Sequence, residues 1–168
     1  THSAAVPSKP LQQLGKHVNT MKIHHLHNWD LNPQDAIQLQ KDLASQVIND
    51  TPIDLTTIKT VAGVDVSVKN NVSQAAVVIM TYPELEIIET VRTQKPTSYP
   101  YIPGLLTFRE GPVLEDAFAQ LENEPDVFIF DGMGQIHPRK MGIAAHLGLW
   151  PRIAADRRRK LCAGDKGF

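Results

Sequence analysis

The chain has 168 residues, 42% of them hydrophobic, and a formal net charge of −1. That is enough apolar material for one domain with a real core. It removes any global electrostatic signature of nucleic-acid binding, so such binding must use local basic patches. A single cysteine, Cys162, excludes an internal disulfide framework and suits a reducing, cytoplasmic setting, and no apolar run approaches the roughly 18 residues that span a bilayer.

Residues 1–28 are polar, rich in Lys, His and Ser, and without a sustained period, which predicts a disordered leader in which Met21 is a candidate natural start. His24, His25 and His27 read there as a solvated tract, with weak adventitious metal binding as the alternative. Asn32-Pro33-Gln34-Asp35 opens a helix: an Asn N-cap, Pro at the first helical position and an acid in the first turn. Ile37, Leu39, Leu43, Val47 and Ile48 fall near one face of it, so this is a packing helix ending around residue 49.

From Thr60 the period becomes two, with Val64, Val66 and Val68 on one side and Gly63, Asp65 and Ser67 on the other. Asn70-Asn71 offers a turn, residues 75–80 form an apolar and therefore central second strand, and residues 85–93 form a third. In that third strand Glu86, Glu89 and Arg92 mark a partly exposed edge. Short turns make the three an antiparallel meander. Asp65 stands mid-strand among valines, where an acid is costly to bury unless paired or metal-bound.

Pro100 and Pro103 stiffen a loop that holds Tyr101 and Ile102 forward, and Gly111-Pro112 suits the first turn of a helix whose stripe is Val113, Leu114, Ala117, Phe118 and Leu121. Glu110 then lies at the helix head, where the helix dipole alone is reason enough for an acid. Residues 127–130 are apolar without alternation, which predicts a strand buried on both faces and parallel to the first, ending in Asp131. Asp131 either opens onto a cleft or caps the turn that follows. An α/β architecture results, with a three-strand meander, one added parallel strand and flanking helices over residues 29–150.

Asp65, Glu110 and Asp131 can converge if the first and fourth strands are neighbours. Three carboxylates in one cleft repel, so one stays protonated or divalent cations enter. An all-oxygen set selects hard ions such as Mg²⁺ or Mn²⁺, and paired ions of that kind clamp the attacking and leaving oxygens of phosphodiester hydrolysis.

Three stretches bear on that chemistry together: Val61-Ala-Gly-Val-Asp65-Val-Ser67, Pro100-Tyr-Ile-Pro-Gly-Leu-Leu-Thr-Phe-Arg-Glu110, and Asp131-Gly-Met-Gly-Gln-Ile-His137-Pro-Arg-Lys-Met-Gly-Ile-Ala-Ala-His146-Leu-Gly148. They resemble the endonuclease V family, and three motifs in order are far more specific than one. The resemblance implies a ribonuclease-H-like fold and a Mg²⁺-dependent nuclease that cuts the second phosphodiester 3′ of deaminated adenine. The substrate is deoxyinosine in DNA, with inosine in RNA as a further candidate, and the enzyme is expected to act as a monomer. By the same resemblance Asp65, Glu110 and Asp131 are the metal-binding acids. Pro100, Tyr101, Ile102 and Pro103 form a wedge that fills the gap left by an extruded base. Gly132 and Gly134 admit the base or a phosphate, His137 lies near the reacting phosphate, and Arg139, with Arg109 and Lys140, meets the backbone.

Two departures stand out. Met133 takes a place where the family commonly has His, and after Gly148 the family continues into a further core strand and helix. Here residues 151–168 show no strand-like run and carry a basic cluster, Arg157 to Lys160. They read as an irregular, truncated or altered tail that leaves the sheet short of its last part and the catalytic centre incomplete. A catalytically impaired protein that still binds inosine-containing nucleic acid is therefore the alternative to an active nuclease, and an unstable product without activity is a third reading.

Overall fold

The computed structural model describes residues 23, 25–48, 52–150 and 160–164. The predicted leader up to residue 22 and most of the tail lie outside them. Five strands form one sheet in the order β3-β2-β1-β4-β5. The strands β1 (Thr60–Lys69), β2 (Val72–Thr81) and β3 (Ile87–Pro96) make the expected meander. Asn70 and Asn71 both adopt positive φ, 51° and 57°, the two-residue turn whose twist matches a hairpin and which Asn tolerates better than most residues. Strand β4 (Val127–Asp131) runs parallel to β1 with Val64 opposite Phe130.

A fifth strand, β5 (Lys160–Gly164), pairs parallel to β4. This corrects the irregular tail expected there: the free edge of β4 offers backbone donors and acceptors that any extended segment can use, so a strand forms without an apolar pattern to announce it. Arg157 lies outside the described residues.

Helices α2 (Leu106–Phe118) and α3 (Ile143–Leu147) pack against the sheet face that presents Ala62, Val64, Val77, Ile79, Phe128 and Phe130. The opposite face carries Gly63, Asp65 and Ser67 on β1 and Ile129 and Asp131 on β4. Asp65 is exposed there and Ile129 is 44% exposed, so β4 is not buried on both faces and Asp65 is not a buried lone acid. Both differences follow from these helices lying on the other side of the sheet.

Helix α1 (Pro33–Ala44) begins as predicted: the Asn32 side chain accepts from the Asp35 amide, and Pro33 takes the first position. It stops five residues short of the expected end. It buries Ala36, Gln40 and Leu43, a stripe rotated from the one expected, and leaves Ile48 70% exposed. Helix α2 starts six residues before Pro112, which therefore lies inside the helix, and Glu110 sits in its second turn instead of at its head. An interior proline costs about 3 kcal/mol. The early start completely buries Leu105 and Phe108 against Ala36 and Tyr99, and at roughly 1.5–3 kcal/mol for each large side chain that burial offsets the loss. Among the described residues no helix is long and apolar enough to cross a membrane.

Candidate active site

The loop carrying Tyr101 joins β3 to α2 and is fastened at both ends. At the near end Tyr99 is buried against Phe108, with ring centroids 5.6 Å apart, and its carbonyl accepts from Arg109 Nη1 at 3.0 Å. At the far end the Gly104 carbonyl receives three donors: Gln40 Nε2 at 3.0 Å, His137 Nε2 at 3.0 Å and Arg139 Nη2 at 2.8 Å. Gly104 has φ +80°, and a Cβ there would stand 2.5 Å from Arg139 Nη2, so backbone conformation and space both require glycine. Between the two ends Tyr101 is 69% exposed.

His137 and Arg139 are thus occupied in ways the sequence did not announce. His137 is buried, donates from Nε2 to Gly104 and accepts the Arg139 amide on Nδ1 at 3.2 Å. Burial lowers its pKa, the bond to Gly104 works the other way and Arg139 adds to the lowering, so the ring is the neutral Nε2–H tautomer. With both nitrogens engaged it holds the loop, and neither is left over for a phosphate in this arrangement. Arg139 is likewise committed, through Nε to Gln40 Oε1 at 2.7 Å and through Nη2 to Gly104, and Arg109 to Tyr99. Lys140 remains exposed.

The three acids come from three elements. One step beyond the last registered pair, Val64 and Phe130, Asp65 and Asp131 stand side by side on the exposed sheet face. Glu110, half-buried on α2, has its pKa raised to about 7, chiefly by burial and then by Asp65, with Arg109 opposing and Asp131 adding. Glu110 therefore feels the charge of both aspartates, although the helix that carries it packs on the other face of the sheet. Among the described residues no three His, Cys, Asp or Glu side chains stand at ligating spacing. The donor set still suits a hard divalent cation, because it is all carboxylate and carries mutual repulsion that a cation would relieve.

The turn after β4 is shaped by packing. A Cβ on Gly132 would lie 2.4 Å from Ile143 Cγ2, and the Gly134 carbonyl accepts from the Gly142 amide at 3.0 Å. These contacts seat the turn on α3, and the Ile143 contact accounts for glycine at position 132 without a ligand. Met133 projects outward, 53% exposed.

Sequence reasoning missed Gln40 and an aromatic cluster. Glu115 on α2 accepts from Trp29 Nε1 at 2.7 Å and Trp150 Nε1 at 3.2 Å and pairs with His25. His27 Nε2 lies 2.8 Å from His146 Nε2, with His146 completely buried. His27 and Trp29 are therefore packed onto α2 and α3, which corrects the solvated tract expected for His27, whereas His25 stays exposed beside Glu115. For Gln40 a signal existed, since Ala36, Gln40 and Leu43 follow helical i, i+4, i+7 spacing; the indole-to-Glu115 bonds left none.

The endonuclease V family model matches residues 41–155. Endonuclease V of Dehalococcoides mccartyi is 47% identical over 132 residues, covering 77% of this chain and 58% of its own length. That of a Nostoc species is 43% identical over 131 residues, covering 77% and 59%. The crystal structure of endonuclease V from Bacillus subtilis superposes with a TM-score of 0.71 at 33% identity, covering 77% of this chain and 57% of that one. Endonuclease V of Ciona intestinalis, solved with a DNA containing an inosine followed by a ribo-adenosine, superposes with a TM-score of 0.63 at 31% identity, covering 68% and 52%. The likeness extends to the ribonuclease-H-like mixed sheet. The chain spans 58% of the length of the Dehalococcoides relative.

Proposed function

The chain belongs to the endonuclease V family, and we propose that it is a metal-dependent endonuclease that hydrolyses the second phosphodiester 3′ of deoxyinosine in DNA, with inosine in RNA as a further substrate. The observation that carries this reading is the family match over residues 41–155, with Asp65 and Asp131 brought side by side by the β1–β4 register and Glu110 on α2 within reach of their charge. Mg²⁺ is the proposed cofactor, Mn²⁺ its substitute, and Asp65, Glu110 and Asp131 would hold it. When bound, such an ion activates water and stabilises charge on the departing oxygen.

The remaining roles fall to the protein itself. Tyr101, with Pro100, Ile102 and Pro103, fills the gap left by the extruded hypoxanthine. Unstacking costs a few kcal/mol, least for a weakly paired base, and a stiff insertion offsets it only if the loop does not have to be ordered first. The fastening of Tyr99 and Gly104 meets that need. His137 and Arg139 hold the loop, Lys140 is available to a phosphate, and the chain is proposed to work as a monomer in the cytoplasm.

A second reading, lesion binding without turnover, is favoured by one observation: the three acids do not stand at ligating spacing among the described residues. One assay separates the two. A labelled duplex with a single deoxyinosine and its matched control are incubated with Mg²⁺ or with chelator. A Mg²⁺-dependent nick on the lesion strand alone supports the nuclease. Tight, Tyr101-dependent binding with no nick supports the binder, and no preference for the lesion defeats both.

A further inference from the structure

We infer that Gln40 is a positioning residue for lesion recognition, acting on the Tyr101 loop through the Gly104 carbonyl; the inference rests on the function proposed above. Gln40 is completely buried on α1. A primary amide buried without partners costs roughly 1–3 kcal/mol, yet here every part of it is used. Nε2 donates to the Gly104 carbonyl at 3.0 Å and the Met141 carbonyl at 3.3 Å, and Oε1 accepts from Arg139 Nε at 2.7 Å. One planar group therefore ties α1 to the end of the loop, to the segment before α3 and to the arginine that also grips Gly104.

Glutamine is the side chain this junction needs. Glutamate would keep an acceptor for Arg139 and set a second acceptor against two carbonyls, and methionine would fill the volume without bonding. Gly104 is also the place where the loop would pivot, since glycine at φ +80° has no Cβ to restrict neighbouring conformations. Three donors on its carbonyl remove that freedom, and Gln40 is the one that reaches it from α1, outside the loop and outside the turn after β4. With the pivot locked, Tyr101 stands forward before any DNA arrives. Preorganisation of this kind improves discrimination of the lesion, whereas affinity for undamaged duplex is set by phosphate contacts and salt.

The test uses the full chain as wild type, Gln40→Met and Gln40→Glu. Hydrogen exchange is followed in the free protein over residues 99–106, and duplex affinity is measured in chelator with and without one deoxyinosine. Losing one net hydrogen bond corresponds to about tenfold, so loop exchange should rise about tenfold in both variants while the β1–β2 hairpin stays unchanged. Preference for the lesion should fall by about tenfold, with affinity for the matched duplex kept within about twofold because phosphate contacts are untouched. Unchanged loop exchange overturns the inference, and so does a loosened loop that keeps the wild-type preference. If Gln40→Met fails to fold, Gln40→Glu carries the comparison, because it keeps the acceptor for Arg139. A wild-type chain with no lesion preference overturns the proposed function and this use of Gln40 together. That failure is distinguishable, because loop exchange is read without DNA and decides by itself whether Gln40 holds the loop.

Discussion

The Tyr101 loop and the acid group are fixed by opposite means. The loop is held by hydrogen bonds to main-chain carbonyls in which buried side chains, Gln40 and His137 among them, are satisfied. The acids are held by strand register and by α2, and burial, with the charge of Asp65 and Asp131 adding to it, leaves Glu110 with a pKa of about 7. The loop is thus finished without a ligand, whereas the acids store an electrostatic cost that a cation removes. Stability and activity should accordingly separate between the two regions.

The largest effect is expected at the acids. Replacing an outer partner of a metal ligand typically costs 10–100-fold, so Asp131→Ala should lower Mg²⁺-dependent nicking by at least about 100-fold, with the melting temperature unchanged or raised. A folded Asp131→Ala protein that still nicks in Mg²⁺ would sink the three-acid mechanism.

Acidity provides the next contrast. The folded-state value of Glu110, about 7, lies above its ordinary 4.5, so the folded chain binds this proton more tightly than the unfolded one. Its contribution to stability is therefore present below pH 4.5 and is lost as pH rises through 7. In chelator, thermal melting should decline over that window, Glu110→Gln should flatten the decline, and Mg²⁺ at pH 8 should reverse it. Equal slopes for wild type and Glu110→Gln would mean that Glu110 is not the group responsible.

Smaller effects belong to the loop. Gly104→Ala puts a side chain at positive φ, which costs roughly 1–2 kcal/mol, and against Arg139; urea unfolding should show at least that loss, and an unchanged midpoint would refute the tight seat. Tyr101→Ala is the smallest change in stability, within about 0.5 kcal/mol for an exposed site, yet it should erase preferential binding to deoxyinosine duplex. A variant that keeps the preference removes the wedge.

The features legible in the sequence were those set by local rules. The Asn32 cap, the Asn70-Asn71 turn and the β1–β2–β3 meander need only neighbours in sequence, and Asp65 and Asp131 follow once β1 and β4 are paired. What stayed hidden depends on distant partners. Pro112 reads as a helix start until Phe108 and Leu105 are seen to pack beneath α1. Strand β5 is made by the edge of β4 and not by its own pattern. His137 and Arg139 read as ligand contacts because nothing nearby in sequence reveals that Gly104 already occupies them.

The pair formed by His27 and His146 has a direction built into it. Nδ1 of His27 lies 2.8 Å from the Asn28 carbonyl, which only accepts, so that nitrogen bears the hydrogen and Nε2 is a bare lone pair. His146 must then donate from its own Nε2, which leaves its Nδ1 without a partner among the described residues. A proton added to His27 would set two N–H groups head to head. Burial keeps both rings below the ordinary 6.5, His146 at about 3, so this clasp is intact above pH 6.5 and weakens as pH falls beneath it. Mild acid should therefore begin to unpick the protein at its His27–His146 clasp.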